Sequence, residues 1–257
     1  MNWGRIWAVA TNAIRETLRE QVLYLLLLFL FLLVAAATLL PMFSSESADK
    51  LIVDTGLAAI EVVGLLVAIF VGTGAIERET NKRTIFILIA KPLSRAEFLL
   101  GKHLGISLVL ALLIALMSLI FLGFAQLRQI PLPWGAVAIA CGFIFVKLFL
   151  VTAFALFFGS FSGALLATMV TFGTYLFGNI TEDIRKLGAI AGDEGVQRVT
   201  EILYLMLPNL ARADLKNEAV YGVLPPPEVL LGDGVYILAY TCLVLAGAML
   251  VFANRQF

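Results

Sequence analysis

Charged residues are scarce in this sequence. Asp, Glu, Lys and Arg make up 14% of its 257 residues, whereas hydrophobic residues make up 61%. An average soluble domain is about 25% charged and about 45–50% apolar. The composition therefore excludes an ordinary water-soluble domain.

Residues that could carry out chemistry are also few. The chain has one histidine and two distant cysteines, so we predict no metal site and interpret His103 as an ordinary membrane-interface residue. The phosphate-binding pattern G-x-x-x-x-G-K-[ST] is absent, because Gly101-Lys102 is followed by His103. Residues 159–163 (GSFSG) have Phe161 where a serine-hydrolase elbow needs serine, and are interpreted as a tight turn. We predict no catalytic residue and no cofactor bound by this chain.

Long apolar runs are what the sequence has in abundance. About 20 apolar residues cross a bilayer core of about 30 Å. Six runs qualify, the fifth being the shortest: 22–42, 56–76, 104–124, 135–158, 164–178 with its flanks, and 235–252. The first exceeds the apolar region of a signal peptide, about 7–15 residues, and is treated as a retained helix. We predict an all-α integral membrane protein with six transmembrane helices, residues 1–257 forming one domain.

The basic residues predict the orientation. Ten of them would lie on one side of the membrane: Arg5, Arg15, Arg19, Arg78, Lys82, Arg83, Lys91, Arg95, Lys102 and Arg255. The short segments on the other side carry only Lys50 and Arg128. Because cytoplasmic loops are enriched in Lys and Arg, we expect both termini and residues 77–102 in the cytoplasm, and residues 179–234 outside.

Residues 1–21 have the pattern of an amphipathic helix in the membrane interface. Its apolar stripe consists of Trp3, Ile6, Trp7, Ala10, Ile14, Leu18 and Val22. Such a stripe opposite basic residues is typical of interfacial helices. The alternative is a simple extension of the first span.

Residues 77–102 form the predicted cytoplasmic loop. Its first part, to about residue 90, is predicted to be helical and to stop before Pro92. Ser94 and Glu97 then match a capping box, so the next helix should begin at Arg95 and run through residue 124.

The outer segment, residues 179–234, is expected to be a structured cap resting on the membrane surface. Residues 193–195 have a helix-start pattern, residues 196–206 carry an apolar stripe, and residues 225–227 are three prolines that predict an extended run. A disordered linker is the alternative.

Two ionisable residues, Glu61 and Lys147, fall inside predicted spans. Such residues usually face a cavity or a charged partner. Our hypothesis is that they line or latch a pathway between helices. The alternative for Lys147 is snorkelling or a structural ion pair.

The loop resembles the cytoplasmic loop after the second helix of ABC-2-type permeases, and the chain is most similar to the small copper-enzyme-maturation type. The likeness consists of an acidic-basic opening, an oily block, a proline, Ser-Arg and Gly-Lys, with Arg83 where glycine is common. These positions are Glu77-Arg78-Glu79, Arg83-Thr84, residues 85–90, Pro92, Ser94-Arg95 and Gly101-Lys102.

This resemblance implies a coupling helix that docks on an ATP-binding subunit, which would hold the ATP and Mg²⁺. The implied docking residues are Glu77, Arg78, Glu79, Lys82, Arg83, Thr84, Ile85, Phe86 and Leu88, and the corner that follows consists of Pro92, Ser94, Arg95 and Glu97. The basic residues could instead only fix topology and contact lipid headgroups.

The resemblance also implies a second permease chain, identical or related, an exporter, and a multi-pass location in a prokaryotic plasma membrane. Lipid is an expected partner, an outer accessory protein a further one, and nucleic acid is not expected. One rival is a non-transporting scaffold that binds a partner through its outer segment; a membrane-embedded enzyme is another. The sequence does not choose among lipid, peptide, drug or polymer as substrate.

Overall fold

The computed structural model describes residues 2–20, 22–43, 48–81, 94–190 and 193–254, and within these ranges every regular element is helical. The helices are α1 (Trp3–Glu20), α2 (Val22–Phe43), α3 (Ala48–Asn81), α4 (Arg95–Leu127), α5 (Trp134–Gly159), α6 (Ala164–Ile190), α7 (Glu194–Met206), a 3₁₀-helix (Leu210–Ala213), α8 (Lys216–Tyr221) and α9 (Pro227–Asn254).

Six helices among the described residues are long and apolar enough to cross a membrane: α2, α3, α4, α5, α6 and α9. This confirms the predicted all-α architecture with six spans. Helix α3 continues past Ile76 to Asn81, and α6 continues past Gly178 to Ile190, because both helices extend into polar sequence beyond their apolar parts.

Both termini lie at one end of the bundle, which we call the basic end. The backbone N–H of Asn2 donates to Glu97 Oε1 at 2.7 Å. Arg95 Nη1 donates to the carbonyl oxygens of Phe252 and Ala253 at 2.9 and 2.8 Å. The start of α1, the start of α4 and the end of α9 are therefore joined.

The opposite end, which we call the distal end, is marked by the start of α3 and the start of α5. Lys50 Nζ lies 4.6 Å from the centre of the Tyr221 ring. A Cβ on Gly222, which has φ of 69°, would lie 3.1 Å from Pro133 Cβ. The end of α8 is therefore at the distal end.

Helices α3 and α5 pack closely along much of their length. A Cβ on Gly64 would lie 2.5 Å from Leu148 Cδ1, and one on Gly72 would lie 2.6 Å from Ala155 Cβ. Small residues at such contacts let helix backbones approach closely in a membrane. This contact fixes the relative position of the two helices that carry Glu61 and Lys147.

Helix α1 packs against α4 rather than standing apart from the bundle. Its apolar stripe divides: Ile6 and Ala10 are buried, whereas Trp3 and Trp7 are 72% and 61% exposed. A Cβ on Gly105 would lie 2.7 Å from the Ala10 carbonyl oxygen. One edge of the stripe therefore serves packing, and the tryptophans remain for the membrane interface.

The outer segment is structured, as predicted, but part of it is buried among the helices and does not form a surface cap. Asp193 caps α7 as predicted, its carboxylate accepting from the N–H groups of Gly195 and Val196 at 2.7 and 3.0 Å. Beyond α7, residues 207–222 pack between spanning helices, and Asn209, Leu210, Ala213, Leu215 and Ala219 are buried. We call residues 207–222 the re-entrant segment.

The prediction that residues 225–227 form one extended run is wrong at its last residue. Pro227 is the first residue of α9, a position that suits proline because the first helical N–H has no partner within the helix.

Candidate functional site

Four charged side chains of alternating sign meet inside the bundle. Glu61 Oε1 lies 2.6 Å from Lys147 Nζ, and Lys147 Nζ lies 3.7 Å from Asp214 Oδ2. Asp214 Oδ2 lies 3.0 Å from Lys216 Nζ, which also pairs with Glu61 Oε2 and closes the circle. We call these four residues the charge ring.

The ring lies deep along the helices. Glu61 is 16 residues from Glu77 on α3, which is about 24 Å at 1.5 Å per residue. It therefore lies inside the candidate membrane span Asp49–Arg78. The side chains of Glu61 and Lys147 are 3% and 1% exposed, so these charges depend on one another and on the ring.

Tyr175 of α6 completes the contacts of the ring. Its hydroxyl donates to Glu61 Oε1 at 2.7 Å, and its ring centre lies 5.4 Å from Lys147 Nζ. A cation near the face of an aromatic side chain is stabilised by the negative charge density of the aromatic face. Tyr175 thus contacts both charges that belong to the spanning helices.

The re-entrant segment brings Asp214 and Lys216 to this depth. Asp214 follows the 3₁₀-helix, Lys216 begins α8, and the Lys216 N–H donates to Asp214 Oδ1 at 3.3 Å. Because the two residues are so close in the chain, the re-entrant segment positions both of them together.

Neutral hydrogen bonds hold the entry to the re-entrant segment. The hydroxyl of Tyr240 donates to the Met206 carbonyl oxygen at 2.9 Å, and the Asn209 N–H donates to the Tyr236 hydroxyl at 3.1 Å. A Cβ on Gly178 would lie 2.9 Å from Leu210 Cδ1, so α6 also admits the segment at close range.

The ring sets the protonation state of its outermost lysine. Burial opposes the charge on Lys216, but the carboxylates of Glu61 and Asp214 outweigh this effect and raise its pKa. Lys216 therefore stays positively charged at neutral pH.

The structure brings Glu61 and Lys147 together, as both the latch hypothesis and the alternative of a structural ion pair require. Sequence reasoning did not identify Asp214, Lys216 or Tyr175 as members of the site. The sequence signal that could have identified Asp214 and Lys216 is the alternation of apolar and charged residues over residues 210–216. This pattern is unusual for a surface segment. Pairing of the lysine, rather than snorkelling, is what the geometry shows.

The coupling residues are only partly within the described ranges. Lys82, Arg83, Thr84, Ile85, Phe86, Leu88 and Pro92 lie outside them, and the side chain of Glu79 does as well. Glu77 is in α3 and its Oε2 accepts from the Ala164 N–H at the start of α6 at 3.0 Å. Arg78 is half-buried at the end of the same helix.

The corner after the loop has the capping box. Ser94 Oγ accepts from the Glu97 N–H at 3.2 Å, and Glu97 Oε2 accepts from the Ser94 N–H at 3.0 Å. Arg5 Nη1 also lies 3.9 Å from Glu97 Oε2. Glu97 therefore joins the start of α4 to α1.

The interpretation of His103 as an ordinary membrane-interface residue is wrong, because His103 is buried. It is 1% exposed, its Nε2 lies 3.1 Å from the Phe149 carbonyl oxygen, and its ring centre lies 4.4 Å from that of Phe149. The close packing of α4 against α5 buries it inside the bundle.

The architecture agrees with a comparison over nearly the whole chain. A family model described as an ABC-2 family transporter protein matches residues 7–255. The chain belongs to the ABC-2 transporter family. It is a multi-pass permease component of an ABC transporter, and this class of component is not itself catalytic. No curated protein matches the permease.

Proposed function

We propose that this permease is the membrane subunit of an ATP-driven exporter in a prokaryotic plasma membrane. The basic end faces the cytoplasm, two permease chains form the membrane part, and a separate ATP-binding subunit docks on residues 77–102 of each chain. ATP binding and hydrolysis take place in that subunit.

The observation that carries this proposal is the continuity of α3. One helix contains Glu77 and Arg78 at the basic end and Glu61 in the charge ring. A helix about 24 Å long between these points transmits displacement better than a flexible connection. Motion of the docked loop therefore reaches the ring and the re-entrant segment.

The C-terminal side of the loop is also joined to rigid elements of the bundle. Helix α4 begins with the capping box, and its first turn is joined to α1 through Glu97 and to the end of α9 through Arg95. A docked subunit that moved the loop would therefore move the start of α4 together with both terminal helices.

The test replaces Lys82 and Arg83 together by glutamate and measures the ATP-binding subunit that copurifies with the tagged chain from native membranes. Because charge complementarity at an interface governs docking, we expect copurification to fall about tenfold or more. The matched control is Arg15→Glu with Arg19→Glu, exposed residues of α1, which should leave copurification unchanged. Undiminished copurification of the Lys82/Arg83 variant would refute docking on this loop.

A further inference from the structure

We propose that Glu61 and Lys147 form a recognition site for the zwitterionic headgroup of an amphiphile, and that Asp214 and Lys216 occupy this site as an internal substitute for that headgroup. The inference rests on the proposed function, because it names the class of molecule that the transporter takes up.

The two halves of the charge ring differ in how they are held. Glu61 and Lys147 belong to α3 and α5, which are in close contact through Gly64 and Leu148. Asp214 and Lys216 belong to the re-entrant segment, and their side chains are 33% and 19% exposed. The first pair is a fixed receptor, and the second pair covers it.

The charges of the second pair complement the receptor. The Lys216 ammonium group pairs with Glu61, while the Asp214 carboxylate faces Lys147. A ligand that replaces them must bring a cationic group and an anionic group that are close together. Glu61 and Lys147 form a neutral pair, so a purely anionic or purely cationic ligand would add an unbalanced charge to a buried site, which is strongly unfavourable.

An apolar groove beside the charge ring is the proposed binding site for the acyl chain. It lies between α3 and α6, has a volume of about 280 Å³, and is lined by Leu65, Leu66, Ile69, Phe70, Thr168, Met169 and Phe172. Leu65 is one helical turn from Glu61, and Phe172 is about one turn from Tyr175.

The groove runs from the charge ring towards the basic end. A bound amphiphile would therefore have its headgroup nearer the distal end and its acyl chain pointing towards the basic end, as lipids of the distal leaflet do. A zwitterionic headgroup at the ring and an acyl chain in the groove satisfy both surfaces with one molecule. This combination favours an amphiphile over a water-soluble zwitterion.

The first experiment compares ligand occupancy by native mass spectrometry of the full chain released from detergent micelles. The probes are lysophosphatidylethanolamine, which is zwitterionic, and lysophosphatidylglycerol, which is anionic. Asp214→Asn with Lys216→Met removes the internal substitute. If the substitute covers the receptor in about nine molecules of ten, its removal should raise the apparent affinity for the zwitterionic probe about tenfold, with no gain for the anionic probe.

The matched control is Arg212→Met with Asp233→Asn. This pair, with Arg212 Nη1 3.4 Å from Asp233 Oδ1, also ties the re-entrant segment to a spanning helix but does not belong to the ring. It should not change the occupancy of either probe. Adding Glu61→Gln and Lys147→Met to the Asp214/Lys216 variant should abolish the gain.

A second measurement uses the wild-type chain and so does not depend on the folding of any variant. Saturating lysophosphatidylethanolamine should displace Asp214 and Lys216 and increase hydrogen–deuterium exchange within residues 207–222. Lysophosphatidylglycerol should not do so. Glycerophosphoethanolamine, which has the same headgroup without an acyl chain, should require a much higher concentration for the same effect.

Three results would overturn the inference: equal gains for both lysolipids, a gain in the Arg212/Asp233 control, or no response of residues 207–222 to the zwitterionic probe. These assays need neither ATP nor transport. If they succeed while copurification of an ATP-binding subunit fails, the proposed function is wrong and the recognition site stands. If the ATP-binding subunit copurifies but the lipid assays fail, only the recognition site is rejected.

Discussion

The two ends of the permease are held together by different kinds of contact. At the basic end, α1 packs on α4 through glycines that allow direct backbone contact, and a capping box fixes the first turn of α4. Towards the distal end, the re-entrant segment reaches the bundle through a ring of four charges. Hydrogen bonds to tyrosines and a few buried apolar residues support it.

This difference indicates what each end can do. Close packing of small residues depends only on shape, so under the proposed function the basic end would move as one body if a docked subunit displaced it. Ion pairs at low dielectric are strong, but they can exchange one partner for another of the same charge. The basic end is therefore suited to transmitting displacement, and the charge ring is suited to releasing the re-entrant segment.

The largest expected effect comes from breaking the ring. Lys147→Met leaves Glu61 and Asp214 with only Lys216 between them, and removal of one partner of a buried pair costs about 3–5 kcal/mol. We expect a corresponding loss in the free energy of unfolding, measured in detergent by thermal or denaturant unfolding, together with loss of transport. Adding Glu61→Gln should recover part of the stability, because it restores charge balance.

Lys50→Met is the matched control for this change. Lys50 also contacts the re-entrant segment, through the Tyr221 ring, but it does so at the exposed distal end. An exposed cation–π contact contributes about 0.5–1 kcal/mol. If Lys147→Met had no larger effect than Lys50→Met, and transport were retained, the ring would be neither a latch nor a recognition site.

A smaller effect is expected from disturbing the packing at the basic end. The added Cβ of Gly105→Ala would lie 2.7 Å from the Ala10 carbonyl oxygen and 2.8 Å from Ala13 Cβ. Overpacking of this kind costs about 1–3 kcal/mol, so α1 should separate from α4. Protease accessibility of α1 and unfolding in detergent would measure the change.

Gly123→Ala provides the comparison within the same helix, because a Cβ there meets no atom within 4 Å. Alanine is a better helix former than glycine by about 0.8–1 kcal/mol, so this variant should be as stable as the wild type or slightly more stable. Equal destabilisation by both substitutions would show that the contact with α1 does not explain the result, because a Cβ at Gly123 makes no such contact.

The smallest expected effect concerns pH. The pKa of Lys216 is raised above its ordinary value of 10.5, so the stabilisation that its charge provides is complete below that value and is lost as the pH rises through the higher folded-state pKa. The difference in thermal midpoint between wild type and Lys216→Met should therefore stay constant from about pH 6 to 9. It should shrink above 10.5. A difference that changed between pH 6 and 9 would mean that another group controls the attachment.

The residues that the sequence identified correctly share one property. The six spans, the capping box of Ser94 and Glu97, and the start of α7 at Asp193 depend on neighbours in the chain. The spans follow from local apolar composition, and the caps follow from residue types three positions apart. Such features can be recognised without knowing how the helices pack.

Two of the predictions that failed depended on distant contacts. His103 was placed at an interface because it follows a basic segment, but it packs against Phe149, which is 46 residues away. The sequence predicts that residues 207–222 belong to a cap on the membrane surface, but Asp214 and Lys216 of this segment pair with Lys147 and Glu61 inside the bundle. A polar segment can enter the bundle when the bundle supplies the opposite charges.

The amino-acid sequence alone predicts a membrane protein of six helices with one strongly basic end, because the bilayer requires long apolar runs and cytoplasmic loops are enriched in lysine and arginine. It also predicts that Glu61 and Lys147 need partners, because a lone charge among apolar helices is unfavourable. The identity of these partners follows from the packing of the helices. The chain must fold before α3, α5, α6 and the re-entrant segment bring five side chains, separated by up to 155 positions, into one site.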